Sequence, residues 1–169
     1  DDGSNIQENC VIHMFPGTTV HLMENSHVGH GAIIHGARLG KNCLIGMNSV
    51  VMDDAQIGEN SIVGALSLVK SNDTLPPNSL AVGNPAKVVK QLSEDQIGWK
   101  TKGTEYYQHL PKDCMNELKE CEPLDSIEDN RPMQTSDYKT WKSCLYACLY
   151  TCLCTCLYAC LYACLYACL

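Results

Sequence analysis

The sequence predicts a mainly β protein, a left-handed parallel β-helix with a C-terminal α-helix. Two observations support this fold class. Apolar residues recur every six positions, and a small residue stands two positions before each of them. The apolar positions are Leu39, Ile45, Val51, Ile57, Val63 and Val69, and the small ones are Ala37, Cys43, Ser49, Ala55, Ser61 and Ser67. A six-residue period fits neither an α-helix nor a strand with one buried face.

A repeat this short is typical of one side of a coil. Stacked coils bury a continuous core that no single repeat could bury alone, and three repeats close one triangular turn. Asn or Asp follows the apolar residue by three positions, at 42, 48, 54 and 60. These residues tolerate the left-handed backbone that a corner requires. A sandwich of short strands is the alternative, but it does not explain six repeats in register.

Length and charge limit the classes of function. The chain of 169 residues is short enough for one domain, and its net charge of -7 argues against nucleic acid or an anionic membrane as a partner. Most of its 12 cysteines lie in the last 26 residues, and Cys43 occupies a small inward position of the repeat. We therefore expect free thiols in a reducing compartment, the cytoplasm.

Residues 1–92 form the predicted β-helix. Ile6 and Ile12 already follow the six-residue period, so we expect earlier coils to be missing from this sequence. Residues 14–25 break the period and contain Pro16 and Gly17, which predicts a loop that leaves one corner of the helix. His21 is placed in this loop, where it could shuttle protons. His27 is expected either at the surface or in contact with a functional residue without binding a ligand itself.

Histidines cluster at the start of the chain. Five of the six lie at positions 13, 21, 27, 30 and 35. His13, His30 and His35 each stand two residues after an apolar residue that we interpret as inward, namely Val11, Val28 and Ile33. In one chain the three histidines should not converge, whereas they could meet across a groove between two subunits. Three imidazoles with a free fourth position are typical of a catalytic zinc site, and solvated or interface histidines are the alternative.

Three segments resemble one family. The runs 5–13 (NIQENCVIH), 29–36 (GHGAIIHG) and 44–53 (LIGMNSVVMD) are similar to γ-class carbonic anhydrases, in particular to the branch of phenylacetic-acid-degradation and carnitine-operon proteins. The resemblance covers about residues 3–124. It implies a homotrimer with one metal ion at each subunit interface, Zn²⁺ or alternatively Fe²⁺ or Co²⁺. His13 and His35 would come from one subunit and His30 from its neighbour.

The resemblance also implies a reaction. A zinc ion held by three imidazoles lowers the pKa of bound water to about 7, and the resulting metal-bound hydroxide would hydrate carbon dioxide to bicarbonate. Gln7 stands where the family has a glutamine that orients the metal-bound species, and Glu8 replaces the usual aspartate. Gln7 and Glu8 are therefore the expected catalytic residues. The family's Arg-Gly-Asp stretch would lie before Asp1, and a chain without it could bind metal without turnover.

Two other functions are compatible with the predicted fold. A hexapeptide-repeat acyltransferase would use acyl-CoA and a loop histidine as general base, and His21 would then be the base. That reading leaves the spacing of His13, His30 and His35 unexplained. An inactive trimeric scaffold is the third possibility, because a fold alone does not determine function.

The repeat ends at Pro76 and Pro77, and residues 93–124 are predicted to be helical. Ser93 is the expected N-cap of a helix from about Glu94 to Tyr107. We expect a break near Pro111 and a second helix over about 112–121. Leu110, Met115 and Leu118 are predicted to face the β-helix.

The end of the chain has a different character. Residues 125–143 are polar and are predicted to be a linker. Residues 144–169 repeat the tetrapeptide Cys-Leu-Tyr-Ala and contain no charge. A membrane span and a cysteine-rich helix that binds soft metals are the alternatives, but the monotony favours a translated tandem repeat. A membrane partner is thus expected only if this segment is genuine.

Overall fold

The computed structural model of the chain describes residues 1–127 and 129–131. These residues form strands followed by one α-helix. The strands are β1 (Asn5–Ile6), β2 (Val11–His13), β3 (His21–Leu22), β4 (His27–Val28), β5 (Ile33–His35), β6 (Arg38–Leu39), β7 (Leu44–Ile45), β8 (Val50–Val51), β9 (Gln56–Ile57), β10 (Ile62–Val63), β11 (Leu68–Val69), β12 (Thr74–Leu75), β13 (Ser79–Val82) and β14 (Lys87–Gln91), and the helix is α1 (Glu94–Glu117).

The strands build a parallel β-solenoid of about four coils. Each coil contributes one strand to each of three sheets, in the orders β1-β4-β7-β10-β13-β14, β2-β5-β8-β11 and β3-β6-β9-β12. Neighbouring strands are parallel, except that β14 turns back antiparallel to β13. Ile45 pairs with Val63, and Val51 with Val69, so corresponding residues of successive coils stack. This confirms the coil architecture predicted from the six-residue period. The handedness of coiling and the trimer stay predictions.

The core consists of the residues that the repeat placed inside. The buried residues at the apolar positions include Val28, Ile34, Leu39, Ile45, Val51, Ile57, Val63 and Val69, and the small residues between them are buried as well. Asn or Asp at 42, 48, 54 and 60 has a positive φ at each corner. Leu66 occupies an equivalent corner with φ 59°, in a conformation that leucine rarely adopts. In the first coil, Ile6 and Ile12 are half exposed.

The irregular segment after β2 is shorter than the sequence indicated. The loop spans only residues 14–20, because β3 resumes at His21 and pairs with β6. Backbone N–H groups of His21 and Met23 donate to Ala37 and Leu39 of the next coil. The predicted loop over 14–25 was therefore too long, and His21 lies on a strand.

The C-terminal helix differs from its prediction. Ser93 caps α1 with a reciprocal bond to Gln96, as expected, but α1 continues through Pro111 as one helix. An interior proline removes one backbone donor and crowds the preceding turn, which weakens a helix, but Pro111 does not end α1. Met115 and Leu118 are 86% and 77% exposed, so their predicted packing on the solenoid is wrong. Leu110 is partly buried.

Helix α1 is attached to the solenoid by its N-terminal half. Lys100 and Thr104 are its buried residues. Nζ of Lys100 donates to the backbone oxygen of Asn25 at 3.1 Å and to Oδ1 of Asn42 at 2.7 Å. Asn42 begins a ladder of hydrogen bonds between side-chain amides that continues through Asn60 to Asn78. These bonds fix α1 beside the sheet that begins with β1 and β4.

Residues 132–169 lie outside the described residues, and with them most of the predicted linker and all of the Cys-Leu-Tyr-Ala segment. The domain boundaries stay predictions. Among the helices in the part of the chain that the structure describes, none is long and apolar enough to cross a membrane. Four cysteines in this part, Cys10, Cys43, Cys114 and Cys121, are free.

Candidate metal centre

Two of the three predicted ligand histidines meet in one chain. His13 ends β2 and His35 ends β5, and the two are partners in the parallel register. Nδ1 of His13 lies 3.0 Å from Nε2 of His35. Two nitrogens bound to one tetrahedral zinc would be about 3.3 Å apart, given the usual zinc–nitrogen distance. The contact is a hydrogen bond between the two rings, and its length is close to the separation that a shared zinc ion would require.

Asp53 fixes the orientation of His35. Oδ1 of Asp53 lies 2.7 Å from Nδ1 of His35, and the two side chains are 21% and 18% exposed. Because a carboxylate only accepts, Nδ1 carries the proton, and Nε2 presents its lone pair towards His13. Metal-bound histidines are commonly oriented in this way. We call His13, His35 and Asp53 the closed half of the site.

Sequence reasoning missed Asp53, although a signal was present. Asp53 follows His35 by 18 residues. Three six-residue repeats make one coil, so a residue 18 positions later stacks directly on the earlier one. Counting by coils from each candidate histidine would have identified this carboxylate.

His30 lies elsewhere, at the corner between β4 and β5. Its Nδ1 is 2.8 Å from Oε2 of Glu8, and the side chains are 48% and 79% exposed. We call His30 and Glu8 the open half of the site. Within residues 1–127 and 129–131 of a single chain, no group of three His, Cys, Asp or Glu side chains is arranged to hold a metal ion. The expectation that one chain does not bring all three histidines together therefore agrees with this geometry.

The interpretation of Val11, Val28 and Ile33 as inward residues was partly wrong. Val28 is buried, as assumed, but Val11 and Ile33 are exposed and point outward. Side chains alternate along a strand, so the inward residues of β2 and β5 are Ile12 and Ile34. His13 and His35 follow these inward residues directly and therefore point away from the core.

Gln7 lies between the open half and a buried histidine. Its Oε1 accepts from the backbone N–H of His30 at 3.0 Å, and its Nε2 is 2.8 Å from Nε2 of His27. Glu8, the other predicted catalytic residue, orients the ring of His30. The structure thus joins Gln7 and Glu8 to His30 and not to the closed half of the same chain.

His27 is buried beneath Gln7. Burial, with smaller contributions from the nearby Lys100 and His30, lowers the pKa of His27 to about 4. The ring of Tyr107, on α1, meets that of His27 edge-on with centroids 4.8 Å apart. His27 is therefore neutral at pH 7 and held between the solenoid and α1.

The loop after β2 borders the closed half through Phe15. The ring centroid of Phe15 is 5.0 Å from that of His35 and 6.4 Å from that of His13. His21 belongs to another sheet, where its Nε2 lies 3.1 Å from Oδ2 of Asp1. The structure therefore does not place His21 in the loop that borders the closed half.

A cleft of about 390 Å³ runs between α1 and the sheet of β4, β7 and β10. Gln7, His27 and His30 line it together with apolar residues of both elements. Leu44, Met47, Ile62, Trp99 and Tyr106 are among these residues. A small apolar molecule in this cleft would contact Gln7 and the corner that carries His30.

Comparison with known proteins identifies the repeat. Residues 36–71 match the family described as "Bacterial transferase hexapeptide (six repeats)". The chain is 45% identical over 130 residues to the carnitine operon protein CaiE of Salmonella newport (strain SL254). The matched region covers 77% of this chain and 66% of that relative. The chain thus spans slightly less than two thirds of its curated relative.

Solved structures with the same architecture are described as transferases. A hexapeptide transferase family protein from Anaplasma phagocytophilum has 34% identity and a TM-score of 0.63, over 66% of either chain. A putative acetyltransferase from Bacillus cereus has 36% identity and a TM-score of 0.57, over 64% of this chain and 67% of that one. Both confirm the architecture.

Proposed function

This chain belongs to the hexapeptide-repeat family, and from that premise we propose that it is a metal-dependent enzyme of the γ-carbonic anhydrase type. Its reaction would be the hydration of carbon dioxide to bicarbonate. The observation on which the proposal rests is the closed half of the site, in which Asp53 directs Nε2 of His35 towards His13. The 45% identity with CaiE is compatible with this proposal but names no reaction.

His13, His30 and His35 would hold the metal, Zn²⁺ or alternatively Fe²⁺ or Co²⁺. In each half a carboxylate contacts Nδ1 of a histidine. Asp53 contacts His35, and Glu8 contacts His30. Neutral imidazoles oriented by carboxylates are preferred zinc ligands. His30 is remote from the other two histidines in one chain. One metal ion would therefore be bound by His30 of one subunit and by His13 and His35 of its neighbour, in a homotrimer.

The bound metal would supply a nucleophile for carbon dioxide by lowering the pKa of water to about 7. The residues of the chain would orient the reactants. Gln7 uses one amide proton towards His27 and one lone pair towards the backbone of His30. One N–H and one oxygen lone pair of its amide then stay available for the substrate or the product. Glu8 would keep the proton of His30 on Nδ1.

The proposal is tested by metal content and carbon dioxide hydration of the full chain. We expect about one zinc or iron per chain, and hydration that is lost after chelation and restored by metal. His30→Ala should lose both metal and activity. His109→Ala is the matched control, because His109 is exposed on α1 and its ring bonds to the backbone oxygen of Glu105, away from the candidate site. A wild-type chain with bound metal but no hydration activity contradicts the reaction, and one without metal contradicts the site.

The second candidate function is acyl transfer from acyl-CoA. The observation that favours it is that two solved structures with the same architecture are described as a hexapeptide transferase family protein and a putative acetyltransferase. Its test is release of CoA thiol from acetyl-CoA in the presence of amine or hydroxyl acceptors. Thiol release that survives chelation and is lost in His21→Ala supports this alternative over the proposed hydration. An inactive scaffold is the remaining alternative, with neither activity.

A further inference from the structure

We propose that His27 is a positioning residue that fixes the side-chain amide of Gln7 in one orientation, as a buried acceptor supported by helix α1. This inference rests on the proposed function, because Gln7 is the residue that would orient the reactants there. The observation is a chain of contacts from α1 through His27 and Gln7 to the backbone of His30.

The contacts determine which end of the amide faces which partner. The backbone N–H of His30 can only donate, so the atom of Gln7 that meets it at 3.0 Å is the oxygen Oε1. The nitrogen Nε2 must then face His27, at 2.8 Å from the ring Nε2. An amide nitrogen has no lone pair to accept with, so the ring nitrogen of His27 is the acceptor. The His27 ring therefore carries its proton on Nδ1.

The surroundings of His27 favour this neutral form. His27 is almost fully buried, and burial is the main cause that lowers its pKa to about 4, with electrostatic interactions with Lys100 and His30 acting in the same direction. Lys100 and Tyr107 face it from α1, and Gln7 and His30 face it from the solenoid. No acidic group is among the groups that shift its pKa. A protonated ring would place a donor opposite the donor of Gln7, so the neutral ring is required for the contact.

Helix α1 keeps the His27 ring in place. The Tyr107 ring packs edge-on against it, and α1 is tied to the same coil by Lys100, whose Nζ donates to Asn25 and Asn42. Gln108, next to Tyr107, also donates to Oδ1 of Asn25 at 2.8 Å. His27 thus has a fixed partner on each side. A loop or surface histidine would not restrict the rotation of the amide in this way.

The test compares two substitutions in the full chain. His27→Phe keeps an aromatic ring against Tyr107 but removes the acceptor, whereas His27→Gln supplies a carbonyl oxygen in its place. His109→Phe, on the exposed side of α1, is the control for a histidine-to-phenylalanine change. The first readout is the side-chain NH₂ resonance of Gln7 in a glutamine-labelled sample, assigned with Gln7→Ala. The proton bonded to imidazole should move upfield in His27→Phe, recover in part in His27→Gln, and stay unchanged in His109→Phe.

The second readout is kinetic. His27→Phe should lower kcat for carbon dioxide hydration roughly 10- to 100-fold, the usual range for residues that support a site residue, without changing metal content. In a Gln7→Ala background the same substitution should have no further effect, because its target is gone. Partial recovery of kcat in His27→Gln would agree with an acceptor role.

Two results overturn the inference. An unchanged Gln7 resonance in folded His27→Phe means that His27 does not hold the amide. Additive losses of kcat in the double variant mean that His27 acts by a route other than Gln7. If the wild-type chain shows no hydration at all, the proposed function fails, and the resonance still decides whether His27 fixes Gln7.

Discussion

The closed and open halves of the candidate site contain the same chemical pair in different surroundings. In the closed half, Asp53 and His35 are about one-fifth exposed, and His13 meets them in the same chain. In the open half, Glu8 is 79% exposed and His30 is 48% exposed. Both halves thus contain a histidine with a carboxylate on Nδ1. In the closed half a second histidine of the same chain contacts it, whereas in the open half the pair faces outward. We propose that a second surface, that of another copy of this chain, covers the open half.

The largest expected effect concerns the buried residue beneath the open half. The pKa of His27 is lower in the folded chain, about 4, than its ordinary value of 6.5. Between these pH values the unfolded chain binds more protons, so the stability contributed by neutral His27 is complete above pH 6.5 and is lost as pH falls towards 4. The loss should reach about 3 kcal/mol in the free energy of unfolding.

This prediction is measured by urea unfolding of the metal-free chain at fixed concentration, between pH 7 and pH 4. His27→Phe has no titrating group at this position, so its stability should fall less steeply over the same range. An identical pH dependence in the two proteins would show that His27 is not buried as described, and the open half would lose its rigid support.

The next largest effect separates the carboxylates of the two halves. Asp53→Asn should weaken zinc binding roughly 10- to 100-fold, because Asp53 keeps the proton on Nδ1 of His35 in a partly buried position. Asp54→Asn is the matched control, since Asp54 is the exposed neighbour at a corner with φ 58°, a conformation that Asn tolerates. Competition with a zinc chelator measures both affinities. Equal losses in the two variants would contradict the role of Asp53.

The smallest effect is expected in the open half. Glu8→Gln should weaken zinc binding less than about tenfold, because water can replace an exposed carboxylate beside His30. The same chelator competition measures this. A loss as large as that of Asp53→Asn would show that Glu8 is buried in the assembled protein, and the contrast between the halves would then belong to the isolated chain alone.

The periodicity of the sequence was sufficient to predict the solenoid and its core. Ile45, Val51 and Val63 are buried as their spacing indicated, because every repeat in this fold uses the same inward position. Leu66 was not recognisable as a corner residue, since leucine rarely adopts the positive φ found there. The helix was predicted with a break at Pro111 that is absent, because a proline lowers helix stability without preventing a helix.

The site was less accessible to sequence reasoning. Its separation into two parts was expected from the sequence, and the structure places His30 at a corner and His35 on the strand that follows. The stacking of Asp53 on His35 could have been found by counting one coil. The contact between Gln7 and His27 could not, because it depends on side-chain conformations and on the packing of Tyr107, which lies far away in the sequence on α1.

The most direct test of the central claim, a metal site shared between subunits, is complementation between two variants. His30→Ala and His35→Ala chains would each be expressed alone and then together in equal amounts, and the metal bound per chain would be measured. Each variant alone should bind no metal. With random assembly of trimers, about one quarter of the sites would combine His35 of one variant with His30 of the other. The mixture should therefore recover about one quarter of the wild-type metal content. Recovery of this size supports the shared site, whereas no recovery in mixed trimers, or full metal content in His30→Ala alone, would contradict it.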